Sequence, residues 1–299
     1  MKTTRRFALT GVLGGGVYWL VRYFRPRHST LVLNEKVVLI TGASSGIGRS
    51  LAFAFARRAA RVVLVARNEE RLEAVRREIE PFTSDVLVIP ADLTDEAQVG
   101  QVVEQVLAHF GRIDVLVNSA GMILGGPLPE QDPAQIEQLV RLNLGAIIRL
   151  TQLVLPHMLA QNHGYILNVG SVQGRIAAPF GTTYTATKFA LTGFTESLRR
   201  ELAGTGVYLT LVQPGWTRTS ALPAETEDVL ARYGYSIEDP DEVAERAVLG
   251  LVRGMPEVLV CGMMEKLGIL GERLTPFLVG IFWRLFSTPE WVAAMRKLK

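Results

Sequence analysis

From residue 36 onward, apolar and polar positions alternate between two patterns along the chain. Short runs rich in Val, Leu and Ile occupy 36–41, 61–66, 86–91, 113–118, 164–170, 207–213 and 257–262. Each has the length and β-branched content of a strand buried on both faces. Between them, over 69–80, 96–110, 135–160 and 184–203, apolar residues recur at three and four, the period of a helix with one buried face. This alternation predicts a parallel sheet covered by helices on both sides. Right-handed crossovers make it a Rossmann-like, doubly wound α/β fold of about seven strands. No linker or internal repeat divides 31–262, so this stretch is expected to form one domain.

Both ends break the rhythm. Residues 1–30 open with Lys2, Arg5 and Arg6, continue through an apolar, Gly-containing run from Phe7 to Val21, and close on Arg22, Arg25 and Arg27. The run is shorter than the ~20 residues that span a bilayer. It is expected to be a membrane anchor or interfacial segment, with the catalytic domain facing the cytoplasm. An exported protein, suggested by Thr4-Arg5-Arg6, and a soluble cytoplasmic one are the alternatives. Residues 263–299 crowd Leu274, Phe277, Leu278, Val279, Ile281, Phe282, Trp283, Leu285 and Phe286 into one stretch among basic residues. Such a tail suits a membrane interface, a lid over a pocket or a subunit contact.

Composition narrows the function. With 48% hydrophobic and 20% charged residues, the chain has ample material for a packed core. A net charge of +3, with no basic stripe interleaved with aromatics, gives nucleic-acid binding no support. Cys261 is the sole cysteine, so neither an internal disulfide nor a cysteine-based metal cluster can form, and no metal site is expected.

The chemistry begins directly after the first strand, at Thr41-Gly42-Ala43-Ser44-Ser45-Gly46-Ile47-Gly48, with a helical pattern behind it. Glycines here let the backbone turn and approach a pyrophosphate, which free N–H groups and the helix dipole stabilise. A plain Gly-rich turn is the alternative. The second strand ends at Ala66, followed by Arg67. An acidic residue at this place holds the ribose 2′-hydroxyl of NAD, whereas arginine offers two hydrogen bonds and charge to the 2′-phosphate of NADP. Arg67 therefore favours NADP(H) over NAD(H), although Glu69 and Glu70 would reach the ribose if the strand ended later, and a surface arginine capping the next helix is the bland reading.

Further along, Tyr184 and Lys188 lie four apart on one helical face, so phenol and ammonium reach the same pocket. A neighbouring cation lowers the pKa of a tyrosine and makes it a useful proton donor and acceptor near neutrality. Ser171 ends the fifth strand, and Asn118-Ser119-Ala120-Gly121 ends the fourth, where doubly wound sheets bind ligands. Asn143 falls within the long helix between them, and a polar side chain buried there needs partners.

Taken in order, these motifs resemble the short-chain dehydrogenase/reductase family, from about Asn34 to about Gly262. The resemblance implies that 41–48 is a cofactor loop contacted through Gly42, Ser44, Ser45, Gly46, Ile47 and Gly48. It implies that Asp92 and Leu93 flank adenine, and that Asn118, Ala120 and Gly121 belong to a motif that supports the central sheet and contacts the cofactor. It implies that Pro214, Gly215, Thr217 and Thr219 cover the nicotinamide. It further implies a catalytic tetrad of Asn143, Ser171, Tyr184 and Lys188: Tyr184 gives or takes the oxygen's proton, Ser171 orients that oxygen, Lys188 also holds the nicotinamide ribose, and Asn143 positions a water. Ser119 departs from the family's usual second Asn. The expected reaction is hydride transfer between NADP(H) and a carbonyl or alcohol. The aromatic and aliphatic residues of 125–132, 173–181 and 216–239, including Ile176, Phe180, Trp216, Leu222, Tyr233 and Tyr235, point to a lipophilic substrate such as a steroid, retinoid or lipid ketone. A homodimer or homotetramer is expected. An epimerase or dehydratase on the same fold, or a non-catalytic NADP(H)-binding scaffold, are the alternatives.

Overall fold

The structure, a computed structural model, describes residues 31–83 and 85–298, so the segment expected to meet the membrane at 1–30 lies outside the described residues. Seven strands, β1 (Val37–Thr41), β2 (Arg61–Ala66), β3 (Val86–Pro90), β4 (Val115–Asn118), β5 (Gly164–Val169), β6 (Val207–Pro214) and β7 (Glu257–Val260), form one sheet. Its order is β3-β2-β1-β4-β5-β6-β7 and every pairing is parallel. The order reverses between β1 and β4, which opens a crevice at the carboxyl ends of the strands.

Alternate strand residues feed two cores. Val38, Ile40, Leu64, Val117 and Leu167 pack against α1 (Gly46–Ala56), α2 (Glu69–Ile79) and α8 (Pro240–Val252). Val37, Leu39, Val63, Leu116 and Ile166 pack against α3 (Glu96–Phe110), α5 (Ala146–Ala160) and α6 (Thr182–Glu201). Each buried Val, Leu or Ile contributes about 1.5–3 kcal/mol, which fixes the strand register and hence the height of every residue at the crevice. The other helices are α4 (Pro133–Val140), α7 (Ala224–Arg232), α9 (Met263–Leu274), α10 (Pro276–Phe286) and α11 (Pro289–Arg296).

The helix expected over 135–160 forms as one run, Pro133–Ala160, with a wider turn inside it. A π-helical turn at Arg141–Gly145 separates α4 from α5. Apolar residues continue on both sides of it, so periodicity alone could not register the extra residue. α5 ends this helical run, Pro133–Ala160, which is long and apolar enough to cross a membrane. Leu150, Val154 and Met158 of α5 nevertheless pack into the core under the sheet.

The tail is part of the same body. Trp291, Met295 and Leu298 pack with Leu222 and Leu230, and Gly125 N donates to Leu298 O at 2.9 Å. A Cβ on Gly125 would lie 2.2 Å from Met295 O, so the backbone there approaches as closely as glycine allows.

Candidate active site

Gly42 follows β1 at φ +68°, and a Cβ on it would meet Ala120 Cα at 2.8 Å. A Cβ on Gly48, in the first turn of α1, would lie 2.2 Å from Gly42 O. The loop therefore closes on itself only with glycine at both places. It presents the amino end of α1 to the crevice, a cradle shaped and polarised for an anion. Thr41 Oγ1 braces it, accepting from Ser119 N at 3.0 Å and Ala120 N at 3.1 Å while donating to Val117 O at 3.2 Å.

At the end of β2, Asn68 caps α2, its side chain accepting from Arg71 N at 2.8 Å. Glu69 and Glu70 thereby fall in the first helical turn, where they complement the dipole. Arg67, Asn68 and Arg71 line the crevice, and Glu69 and Glu70 do not. Arg71 was not anticipated from sequence; it lies in the first turn of α2 and lines the same crevice as Arg67.

Asn143 sits in the π turn and is fully buried. Its Oδ1 accepts from Met122 N at 2.9 Å and its Nδ2 donates to Met122 O at 2.8 Å and to Thr187 Oγ1 at 3.4 Å. One side-chain amide thus clamps the strand that leaves β4 and ties it to α6. Asn118 is also buried: its Nδ2 donates to Asn168 Oδ1 at 2.8 Å, and Asn168 Nδ2 donates to Thr195 Oγ1 at 2.9 Å. Asn118 and Asn143 stand behind the crevice wall. Asn118 thus braces the sheet through its amide, joining β4 to β5.

Ser171 caps a short 3₁₀ turn after β5, its Oγ accepting from Gln173 N at 3.2 Å, and Gln213 Oε1 holds its backbone N–H at 3.1 Å. Tyr184, in the first turn of α6, hydrogen-bonds Ser171 through its hydroxyl. Lys188 lies one turn on, its Nζ 5.5 Å from the centre of the Tyr184 ring and donating to Val169 O at 3.1 Å. Burial pushes the Tyr184 phenol up to about 12, opposed by the bond to Ser171, and pushes Lys188 down to about 8. Sequence reasoning expected Lys188 to depress the phenol. In the folded protein burial is the larger influence on the phenol, and the ammonium donates to Val169 O.

These groups open into one cavity of about 950 Å³. Gly42, Ser44, Ser45, Gly46, Ile47, Gly48, Arg67, Asp92, Leu93, Ala120 and Gly121 line one end of the crevice. Ser171, Tyr184, Lys188, Pro214, Gly215 and Thr217 line it further on, while Thr219 packs against the loop at Gly46, where a Cβ would meet its Cγ2 at 3.0 Å. Asp92 Oδ1 takes both the N–H and the hydroxyl of Thr94, at 2.9 and 2.8 Å, so it shapes the β3 end of the crevice. Beyond Tyr184 the walls turn apolar: Ile176, Phe180, Trp216 and Leu222, then Leu267, Leu278, Phe282, Trp283, Trp291 and Met295 of α9–α11. Phe180 holds φ +63°, a strained position for an aromatic residue, and its carbonyl accepts from Gly126 N at 2.7 Å. Tyr233 turns away to bond Thr288 Oγ1. Among the described residues no cluster of His, Cys, Asp or Glu suits a metal ion.

A glycine cradle at a switch point of a parallel sheet, joined by one cavity to a Ser–Tyr–Lys cluster, defines a dinucleotide-dependent enzyme of the α/β class. The family model for short chain dehydrogenases matches residues 36–229, and the chain belongs to that family of oxidoreductases. A Drosophila melanogaster relative, "Dehydrogenase/reductase SDR family protein 7-like", is 33% identical over 84% of this chain and 79% of its own length. Among solved structures, a short-chain dehydrogenase from Streptomyces avermitilis superposes with a TM-score of 0.72 at 29% identity, covering 85% of this chain and 98% of that one. A metagenomic short-chain oxidoreductase in complex with NADP gives a TM-score of 0.67 at 34% identity, covering 77% and 98%.

Proposed function

We propose that this protein is an NADP(H)-dependent oxidoreductase that interconverts a carbonyl and an alcohol on a lipophilic substrate. One observation carries the reading: Tyr184, Ser171 and Lys188 meet in the middle of a single cavity with the glycine cradle at one end and an apolar chamber at the other. The residues fit a dinucleotide. Gly42 and Gly48 leave no room for a Cβ, and the α1 amino end and two arginines supply positive charge where phosphates would lie. The NADP-bound relative supports NADP(H) as the cofactor, whose 2′-phosphate Arg67 and Arg71 would take. Bound there, the cofactor would supply or accept the hydride.

The chain's own residues handle the proton. The Tyr184 hydroxyl donates to the substrate oxygen as it becomes an alkoxide, or takes its proton in the reverse direction. Ser171 Oγ donates to the same oxygen and orients it. Lys188 gains a partner once the phenol gives up its proton, since an ammonium one turn away stabilises the phenolate. Asn143 acts by clamping Met122 and Thr187, which holds the wall behind Lys188. The apolar walls exclude water, which strengthens each of these interactions.

Two finer readings go with this one. Leu270, Leu274, Phe277 and Leu285 of α9 and α10 are more than half exposed, with Lys266, Arg273 and Arg284 around them. This face and the apolar run at 7–21 support association with a membrane, the catalytic domain on the cytoplasmic side where NADPH is available. Exposed Ile148, Leu159 and Phe189 on α5 and α6 support a homodimer or homotetramer.

The test is NADPH oxidation against a panel of lipophilic ketones and aldehydes. Tyr184→Phe should lower kcat by ~10²–10⁴ with NADPH binding retained, and undiminished turnover would overturn the mechanism. Arg67→Asp should raise the KM for NADPH far more than for NADH. Carbonate extraction of membranes, comparing the full chain with forms lacking 1–30 or 263–299, tests the membrane reading.

A further inference from the structure

The buried polar atoms without a hydrogen-bond partner among the described residues are unevenly placed. Both carboxylate oxygens of Glu265 and the indole nitrogens of Trp283 and Trp291 are among them, and all three residues line the apolar chamber. Native proteins pair the great majority of such atoms, so several orphans on one wall mark a place where another molecule completes the bonding.

Trp283, Trp291 and Tyr235 form a continuous row of rings, with Glu265 on the same cavity. The rings of Trp283 and Trp291 are 5.9 Å apart, and those of Trp291 and Tyr235 are also 5.9 Å apart. Tyr235 feels the charge of Glu265, which together with burial pushes its phenol up to about 12. Glu265 is 3% exposed and lies at the edge of the cavity, where a Cβ on Gly215 would come within 3.0 Å of its Oε1. Its place in the first turn of α9 suggests a helix cap. Burial pushes its carboxyl up, the backbone N–H groups of Glu265 and Gly262 offset this only in part, and neither oxygen completes a hydrogen bond. Both oxygens are left without a partner among the described residues, at the edge of the cavity beside Gly215 and Gly262.

We infer that the substrate carries a second oxygen function, a hydroxyl remote from the reacting carbonyl, which docks on the strip formed by Glu265, Tyr235, Trp283 and Trp291. The chemistry fits a hydroxyl group. It donates to the Glu265 carboxyl and accepts from an indole N–H, whereas a hydrocarbon end satisfies neither and an ammonium has nothing to accept with. The strip belongs to α9–α11 and the segment before α8, so the tail grips the far end of the substrate while Tyr184 acts on the near one. The inference rests on reading the chamber as the substrate site.

The experiment uses the full chain with NADPH and two pairs of probes: a steroid monoketone with and without a hydroxyl on its far ring, and a long-chain methyl ketone with and without a terminal hydroxyl. The hydroxylated member of at least one pair should have a kcat/KM higher by roughly ten-fold to a hundred-fold, the range for hydrogen bonds to a charged group. In Glu265→Leu that ratio should collapse towards one, with the loss in the KM of the hydroxylated ketone. Glu265→Gln, which keeps size and an acceptor, should retain part of it. Equal kcat/KM within both pairs, as for a strip satisfied by water, overturns the inference, and so does an unchanged ratio in Glu265→Leu. If no ketone of either pair turns over, the lipophilic-carbonyl reading fails separately. Binding then decides the strip: titration with the hydroxylated steroid should perturb tryptophan fluorescence, with affinity weakened in Glu265→Leu, and equal affinity overturns it.

Discussion

Replacing Lys188 by methionine should separate the stability of this site from its chemistry. Burial lowers the Lys188 ammonium from its ordinary 10.5 to about 8. At about 1.4 kcal/mol for each tenfold change in proton affinity, that depression sets on the order of 3 kcal/mol against the charged form in the folded protein. Methionine keeps most of the stem and removes the charge. It also leaves Val169 O without its donor, at a cost of about 1–3 kcal/mol. The variant without cofactor should thus be as stable as the parent at pH 7, or more so by up to about 2 kcal/mol, while carbonyl turnover is lost. The pH dependence fixes the cause. At pH 7 both folded and unfolded parent carry the proton, and the cost is fully present. Between about pH 8 and 10.5 the unfolded chain keeps a proton that the native state has shed, so parent stability rises with pH across that window. The variant lacks this contribution. Urea unfolding of both proteins at pH 7 and pH 10, followed by far-UV circular dichroism, measures the difference. An advantage of the variant that is the same at both pH values would refute the assignment of Lys188 as a charge held in the fold for function.

Asn143→Ala removes the partner of both backbone groups of Met122 and should destabilise the protein by about 2–4 kcal/mol in the same urea assay, with activity falling as the Lys188 wall loosens. Cys261 is buried beside Glu265, and burial pushes its thiol up to about 11. Maleimide labelling at pH 7.5, about three pH units below that value, should therefore be at least about a hundred-fold slower in the native protein than in urea.

What the chain declared in advance was what lies close together in sequence. The cofactor loop is local: Thr41 through Gly48 are consecutive, and the glycines are dictated by contacts within a few residues or with the neighbouring strand. Tyr184 and Lys188 share a helix, so their meeting follows from its pitch. The misjudged features are those set by the folded environment. The direction of the Tyr184 pKa depends on how deeply the fold buries the phenol, which no spacing reveals. Arg71 was passed over because a charged residue on an amphipathic helix looks like solvated surface until the cavity runs past it. The strip of Glu265, Tyr235, Trp283 and Trp291 joins three separate stretches of chain. Its members read individually as a helix-start acid and core aromatics, and only their shared lack of partners distinguishes them. Asn143 was legible as a residue and illegible as a place, because the apolar pattern runs unbroken through Arg141–Gly145.

That π turn limits what can change in the segment. It carries one residue more than the α-helical turn it replaces, and each residue rotates a helix by about 100°. Leu139 before it and Leu150, Val154 and Met158 after it are all buried, but on registers that differ by the inserted residue. Deleting any one residue of 141–145 would restore a regular helix and swing one half out of its seat, whichever side chain was removed. The segment therefore tolerates substitution along its exposed face far better than any change of length, and Asn143 is kept in position by counting as much as by bonding.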